Sequence, residues 1–168
     1  LFPYTTLFRS ISKKILADQV VTNLNDALKN ATGVARLWES TGRSGDGAEY
    51  YSMRGFSVQP TMINGMPSLN NGSIDPANIE SVDVIKGTSG ALYGGAVISY
   101  GGLININTKQ AFDRFSGDVG LVAGSYGLQR LTMDVNLPLS KKMFIRLDSS
   151  VHSQGSFQDA GFQKSVFV

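Results

Sequence analysis

Residues able to do chemistry are sparse in this chain, and their spacing argues against catalysis. The single histidine, His152, lies in an alternating stretch, and there is no cysteine. One histidine without cysteine does not supply the three or four N/S ligands of a protein-built transition-metal site, so no metal is expected. The absence of cysteine also removes disulfide frameworks. The most suggestive stretch is Gly87-Thr88-Ser89-Gly90, which follows a strand-like run and precedes a short helical one, as a phosphate-cradling loop does. No Gly-Lys-Ser/Thr follows it, however, and no G-x-G-x-x-G occurs at that junction. Neither nucleotide chemistry nor any cofactor is expected. A net charge of +2, with Lys13-Lys14 and Lys141-Lys142 as isolated basic pairs, gives nucleic acid nothing to hold.

The elements that would position these residues fall into two textures. Apolar residues at Val20, Val21, Leu24, Ala27, Leu28 and Ala31 have helical spacing, and Gly33 follows as a stop signal. Ser40–Ala48 is polar and glycine-rich, hence a loop. Tyr50–Phe56 and Thr61–Gly65 read as two short strands around a turn at Gln59-Pro60. Asp75-Pro76-Ala77-Asn78-Ile79 suits one helical turn with Asp75 as N-cap and Pro76 at the first position. Ser81–Ile85 reads as a strand, Ser89–Tyr93 as a short helix and Leu103–Thr108 as a strand. The expectation is a small α+β domain of short helices and mixed short strands over residues 11–111.

After Phe112 the pattern becomes strict alternation. One face carries Val119, Leu121 and Ala123 in the first segment, Leu131, Met133, Val135 and Leu137 in the second, and Met143, Ile145, Leu147 and Val151 in the third. The opposite face carries Arg130, Thr132, Asp134 and Asn136, then Arg146, Asp148, Ser150 and His152. Each segment has roughly the 9–11 residues of a tilted membrane strand. An antiparallel soluble sheet with one wet face would give the same alternation, and the strands alone do not separate the two. No stretch approaches the ~20 apolar residues of a transmembrane helix, so a membrane span would have to be built from strands.

The ends carry their own expectations. The chain starts at Leu1, and residues 1–10 (Leu1–Ser10) have neither the basic region nor the long apolar core of a signal peptide. They are expected to be a non-native leader outside the fold. Lys164–Val168 stops within a strand-like run, so both ends are expected to be cut.

Between these ends, the stretch Asn78–Gly95 (NIESVDVIKGTSGALYGG) and the closing Gly101–Lys109 (GGLININTK) resemble the plug domain of TonB-dependent outer-membrane receptors. The hallmark of that family is "IE-x-V-E-V-x-KG-x-x-S-x-L-YG" followed by "GG-x-IN-I-x-TK". Met53-Arg54-Gly55-Phe56 matches its "I-RG-F", and Ile63-Asn64-Gly65-Met66-Pro67 its "x-DG-x-P". Leu24–Val34 resembles the "L-x-D-A-L-x-x-x-PGV" that opens the plug. These landmarks occur in the family's order. Asn64 stands where the family usually has Asp, and Ala96–Tyr100 is more apolar than is usual there.

The resemblance implies a plug followed by the first three or four antiparallel strands (residues 112–168) of an incomplete transmembrane β-barrel. The motif residues Arg54, Gly55, Gly65, Glu80, Lys86, Gly87, Tyr93, Gly94, Gly102 and Asn105 would be structural, with Arg54 and Glu80 either ion-paired or on solvated surface. Gln59, Pro60, Ser68, Asn70 and Asn71, in apical loops, would touch substrate or merely pack on the wall. The implied function is energy-coupled uptake of a scarce solute, most often a ferric siderophore. Its partners would be the inner-membrane TonB complex, whose docking box would precede Ile11, and outer-membrane lipid of a Gram-negative bacterium. A family receptor for a vitamin, haem or a glycan is the alternative, followed by a porin-like channel or a soluble α/β binding protein or enzyme. The ordered plug motifs weigh against the porin, and the alternating strands against the enzyme. If the first alternating strand rises from the periplasm, Tyr126-Gly127 is an extracellular turn and Pro138–Lys142 a periplasmic one.

Overall fold

The structure, a computed structural model, describes residues 8–38, 49–68, 74–87, 99–156 and 162–168. The chain divides into two compact units, Leu1–Thr108 and Lys109–Val168. Among the described residues no helix is long and apolar enough to cross a membrane, which says nothing of strands.

In the first unit a five-stranded sheet runs in the order β1 (Phe8–Ser12), β7 (Ile79–Lys86), β8 (Gly102–Thr108), β5 (Pro60–Ile63), β6 (Met66–Pro67). Only the β5–β8 pair is parallel. A second sheet joins β2 (Val34–Trp38), β3 (Tyr50–Met53) and β4 (Phe56–Val58). Alternation sorts β7 and β8 into two faces. Val82 and Val84 stand opposite Ile106 and Ile104, and all four are fully buried in the main core with Ile11, Leu24, Leu28 and Met53. The reverse face carries the small cluster Met62, Ile85 and Leu103, then Ser81, Asp83, Asn105 and Asn107. Within the core the Tyr51 hydroxyl meets Asn25 Oδ1 at 2.7 Å and the buried Glu49 carboxylate, so this aromatic ring carries its polar tip inward with partners.

Three expectations need correcting. Residues Phe8–Ser10, taken as part of a leader, lie in β1 and pair residue by residue with Ile85, Val84 and Asp83. Of the helix expected over Val20–Ala31 only Leu24–Leu28 (α2) is α-helical, and a separate helix, α1 (Lys13–Asp18), precedes it across a break. The break is a Schellman closure: Val20 adopts φ 52°, its N–H donates to Ala17 O at 3.0 Å, and the Val21 N–H donates to Leu16 O at 2.9 Å. A β-branched residue is a poor candidate for that conformation, so Val20 gave no stop signal. Asn23 then restarts the helix, its side chain accepting from the Asp26 N–H at 2.8 Å, a cap worth about 1 kcal/mol. Third, the hairpin turn is at Arg54-Gly55 rather than Gln59-Pro60. Met53 pairs with Phe56 across it, and Pro60 opens β5 in the other sheet. Pro60 can start a strand because the N–H it lacks is not needed there.

Two boundaries also shift: Asn64-Gly65, expected at the end of a strand, form the turn between β5 and β6, and Pro138–Ser140, expected in a turn, lie within the strand that ends at Ser140. Pro76–Asn78 forms a single 3₁₀ turn, with the Asp75 side chain accepting from the Ala77 N–H at 2.8 Å. The helix expected over Ser89–Tyr93 lies outside the described residues.

The second unit is an antiparallel sheet in the order β12 (Phe162–Phe167), β11 (Met143–Gly155), β10 (Gln129–Ser140), β9 (Ser116–Ala123). Tyr126 and Gly127, both at positive φ, turn β9 into β10, and Lys141-Lys142 turn β10 into β11. The unit begins at Lys109 rather than 112, because residues 109–114 are bonded to β10 and β11.

Candidate functional site

The sequence landmarks of the first unit, spread over some eighty residues, meet in space. Arg54 and Gly55 form a two-residue hairpin turn with φ 53° and 83°, as do Asn64 and Gly65 with 52° and 76°. Positive φ at both positions is the signature of the type I′ turn that matches strand twist. Asn is at home there, whereas Arg pays about 1 kcal/mol for it. From the second turn the Gly65 N–H donates to Asn105 Oδ1 at 3.0 Å. Asn105 Nδ2 donates to Asn107 Oδ1 at 2.9 Å, and Asn107 Nδ2 reaches Asp83 at 2.6 Å and Ser81 Oγ at 2.9 Å. The "NG" turn and the two long strands are thus one hydrogen-bonded ladder on the sheet's reverse face.

The first turn packs where β7 ends and β8 begins. The Gly87 N–H donates to Gly101 O at 3.1 Å, closing the segment between them. A Cβ on Gly87 would lie 3.1 Å from Arg54 Nη1, and one on Gly101 2.7 Å from Phe56 Cβ. Gly102 is the strictest: at φ 145° a Cβ there would run into the Ile85 carbonyl oxygen. Lys86 reaches the remaining landmark, its Nζ donating to Thr32 Oγ1 at 3.2 Å and lying beside Gly33. Glu80 is not paired with Arg54; it sits 3.1 Å from Lys13 Nζ, both half-exposed, which is worth little in stability. Arg54 is exposed.

Of the expected ligand contacts, Gln59 is a half-buried single-residue link between β4 and β5, and Pro60 is buried in β5 rather than in a loop. Ser68 is half-buried, its N–H bonded to Thr61 O at 2.8 Å. Asn70, Asn71, Tyr93 and Gly94 lie outside the described residues.

The second unit segregates its faces. Leu131, Met133, Leu137, Ile145, Leu147 and Val151 are exposed, Val135 is half-buried, and Arg130, Asn136, Ser150 and His152 on the other face are buried. Asp118, Asp134 and Asp148 stand directly opposite one another across β9, β10 and β11. Like charges in register repel, and two cations answer Asp134 and Asp148. Lys109 Nζ bonds Asp134 at 2.6 Å and Asp148 at 2.7 Å, while Arg146 grips Asp134 through Nε at 2.9 Å and Nη2 at 2.6 Å. Two positive and two negative groups close on themselves, as charges withdrawn from water must. Beside them the Asn136 amide holds the Phe112 N–H at 3.0 Å, Phe112 O at 2.9 Å and Arg114 O at 2.5 Å. The guanidinium groups of Arg114 and Arg146 each lie 5.5 Å from the Phe112 ring centre. Sequence reading placed Asp134, Asn136, Arg146 and Asp148 on a shared face but missed Lys109. The signal was the row of aspartates, which demands a cation once register is assigned.

Among the described residues no group of His, Cys, Asp and Glu could hold a metal ion. The geometry offers motif-built packing, a charged wall face and an apolar one.

Comparisons with known proteins agree with that character. The family model for the TonB-dependent receptor plug domain matches residues 5–99. The chain is 36% identical over 140 residues to the catecholate siderophore receptor Fiu of Escherichia coli K12, covering 82% of this chain and 18% of that protein. It is 30% identical over 144 residues to the ferripyoverdine receptor of Pseudomonas aeruginosa PAO1, covering 81% of this chain and 17% of the relative. The crystal structure of Fiu from E. coli K12 in its closed form superposes with a TM-score of 0.81 at 31% identity, over 95% of this chain and 22% of that one. The chain therefore spans less than a quarter of the length of these relatives. The plug landmarks, the corner they build and the strands that follow make this chain a member of the TonB-dependent receptor family.

Proposed function

We propose that this chain supplies the plug and the first wall strands of an outer-membrane receptor that takes up a ferric siderophore with energy delivered through TonB. The observation that carries the reading is the division of labour across β10 and β11: an exposed row of Leu131, Met133, Ile145 and Leu147 on one face, Asp134, Arg146 and Asp148 on the other, directly after a motif-built plug. Lipid accepts the first face without penalty and would reject the second, so the polar face turns to a lumen. Such a sheet needs neighbours to close it, because lipid satisfies no free backbone edge.

Transport by such a receptor is binding followed by displacement of the plug, with no covalent step. Among ligands, a ferric catecholate is favoured over other siderophores, since the relative named for catecholates shares 36% identity. Gln59, Ser68, Asn70 and Asn71 remain the proposed polar contacts. Trp38 and Tyr50, opposed across β2 and β3 and both exposed, add flat surfaces on which an aromatic chelator can stack.

The test is equilibrium binding to a purified full-length receptor containing these residues, using ferric catecholate, ferric hydroxamate, haem and cobalamin. The ferric catecholate is expected to bind most tightly. Tightest binding of cobalamin or haem would sink the siderophore reading.

A further inference from the structure

The network on β10 and β11 does more than balance aspartates, because one of its cations and all of its clamped backbone belong to the segment that leads into the wall. Thr108 ends the last plug strand, and Lys109 immediately follows it. From there to Arg114 the chain is held three ways: by the Lys109 ammonium on two carboxylates, by the Asn136 amide on three backbone groups, and by the Phe112 ring beside the Arg146 guanidinium. Arg146 further donates to Gln110 O at 3.0 Å. Every one of these partners lies on β10, on β11 or within residues 109–114 itself.

We propose that residues Lys109–Arg114 form a fixed anchor that stays on β10 and β11 when the plug is displaced or unfolded, so that the moving part of the chain ends at Thr108. The inference rests on the plug-and-wall reading above but not on the identity of the ligand. A chain held by closed, partly buried charge pairs and a chelated backbone opens with the strands that carry them, not with the element next to it in sequence. The ends of the displaced segment are then unequal. Toward the N-terminal side lies the edge strand β1, paired among the described residues to β7 alone, while the C-terminal end is fastened.

Trypsin reads this directly, because it must seat a free lysine or arginine side chain. A full-length receptor containing these residues, in detergent micelles, is exposed to rising urea until Lys14 and Lys86 of the plug are cut while Arg130 and Lys164 of the wall are not. Cleavage is mapped by mass spectrometry. Lys109 is expected to be cut at least about tenfold more slowly than Lys86 under those conditions, as a site opening with a more stable unit would be. In Asp148→Asn the protection of Lys109 is expected to fall, while Lys109→Arg, which keeps the charge and the cleavage site, retains it. Should Asp148→Asn fail to fold, Asn136→Ser gives the same comparison at Arg114. Cutting of Lys109 as fast as Lys86 in the unsubstituted receptor overturns the anchor. Unchanged protection in a folded Asp148→Asn wall also overturns it, since the charges would then not be what holds the segment. Loss of siderophore binding would leave either pattern intact.

Discussion

Asn64 and Thr108, 44 residues apart, exchange hydrogen bonds: Asn64 Oδ1 accepts from the Thr108 N–H at 2.8 Å and Asn64 Nδ2 donates to Thr108 Oγ1 at 2.9 Å. The tip of the β5–β6 hairpin is thereby tied to the last residue of β8. An aspartate, the residue usual in the family, keeps the first bond and can accept the second from the threonine hydroxyl. Asn64→Asp is expected to change stability by less than about 0.5 kcal/mol. Asn64→Ala loses both bonds and a residue suited to positive φ, and is expected to cost about 1–2 kcal/mol. Urea unfolding of the plug followed by proteolysis distinguishes the two; an alanine as stable as aspartate would show the tie to be idle.

Gly102 is expected to be intolerant. Alanine there meets the Ile85 carbonyl at a backbone conformation that L-residues rarely adopt, so either β7 or β8 must shift. A loss of more than about 2 kcal/mol is expected from strain together with broken pairing. Gly55→Ala, at a positive φ but with open space around it, should cost distinctly less. Equal losses would mean that conformation alone, and not the approach of Ile85, sets the requirement.

Deleting residues 1–12 tests the edge strand. It strips Ile11 from the core and leaves β7 as the sheet edge. Removing a fully buried Ile side chain and a strand is expected to destabilise the plug by at least about 2–4 kcal/mol, seen as faster tryptic cutting at Lys29 and Lys86. Unchanged cutting rates would show that β1 adds nothing to the fold.

The wall has a face test. Arginine facing lipid near the bilayer midplane costs about 2–4 kcal/mol, and far less on the lumenal side. Met133→Arg should therefore reduce folding yield into lipid vesicles of a full-length receptor much more than Thr132→Arg, although the two residues are adjacent. The register permits no intermediate result, since a slip of one residue exchanges the faces. Equal loss, or greater loss from Thr132→Arg, would place these strands in a soluble sheet or reverse the assignment.

Much of this architecture was legible in the sequence where local pattern and burial coincide. Leu103–Thr108 and Gln129–Leu137 alternate because each has two unlike faces, and Asp75 caps its turn with its own side chain. Reading failed where a local signal was weak or misleading. Phe8–Ser12 buries only Ile11, so the edge strand carried no period. Val20 closed a helix in a conformation that valine seldom takes, and Pro60 suggested a turn where it starts a strand. The meeting of Arg54, Gly87, Gly101 and Gly102 needs the fold itself, since no spacing of glycines announces which backbones will touch. The Lys109 network lay between these cases. Its aspartates were placed on one face by alternation, but only the register Asp118–Asp134–Asp148 reveals that they are neighbours in need of a cation.

Energy-coupled uptake is measured in whole cells. Iron-starved Gram-negative cells lacking their own catecholate receptors, but carrying a full-length receptor that contains these residues, are supplied with radiolabelled ferric catecholate. The account predicts that they accumulate the label, and that accumulation stops when TonB is removed while surface binding persists. Equal accumulation with and without TonB would describe a passive channel, and no accumulation of any ferric siderophore would remove the function proposed for this chain.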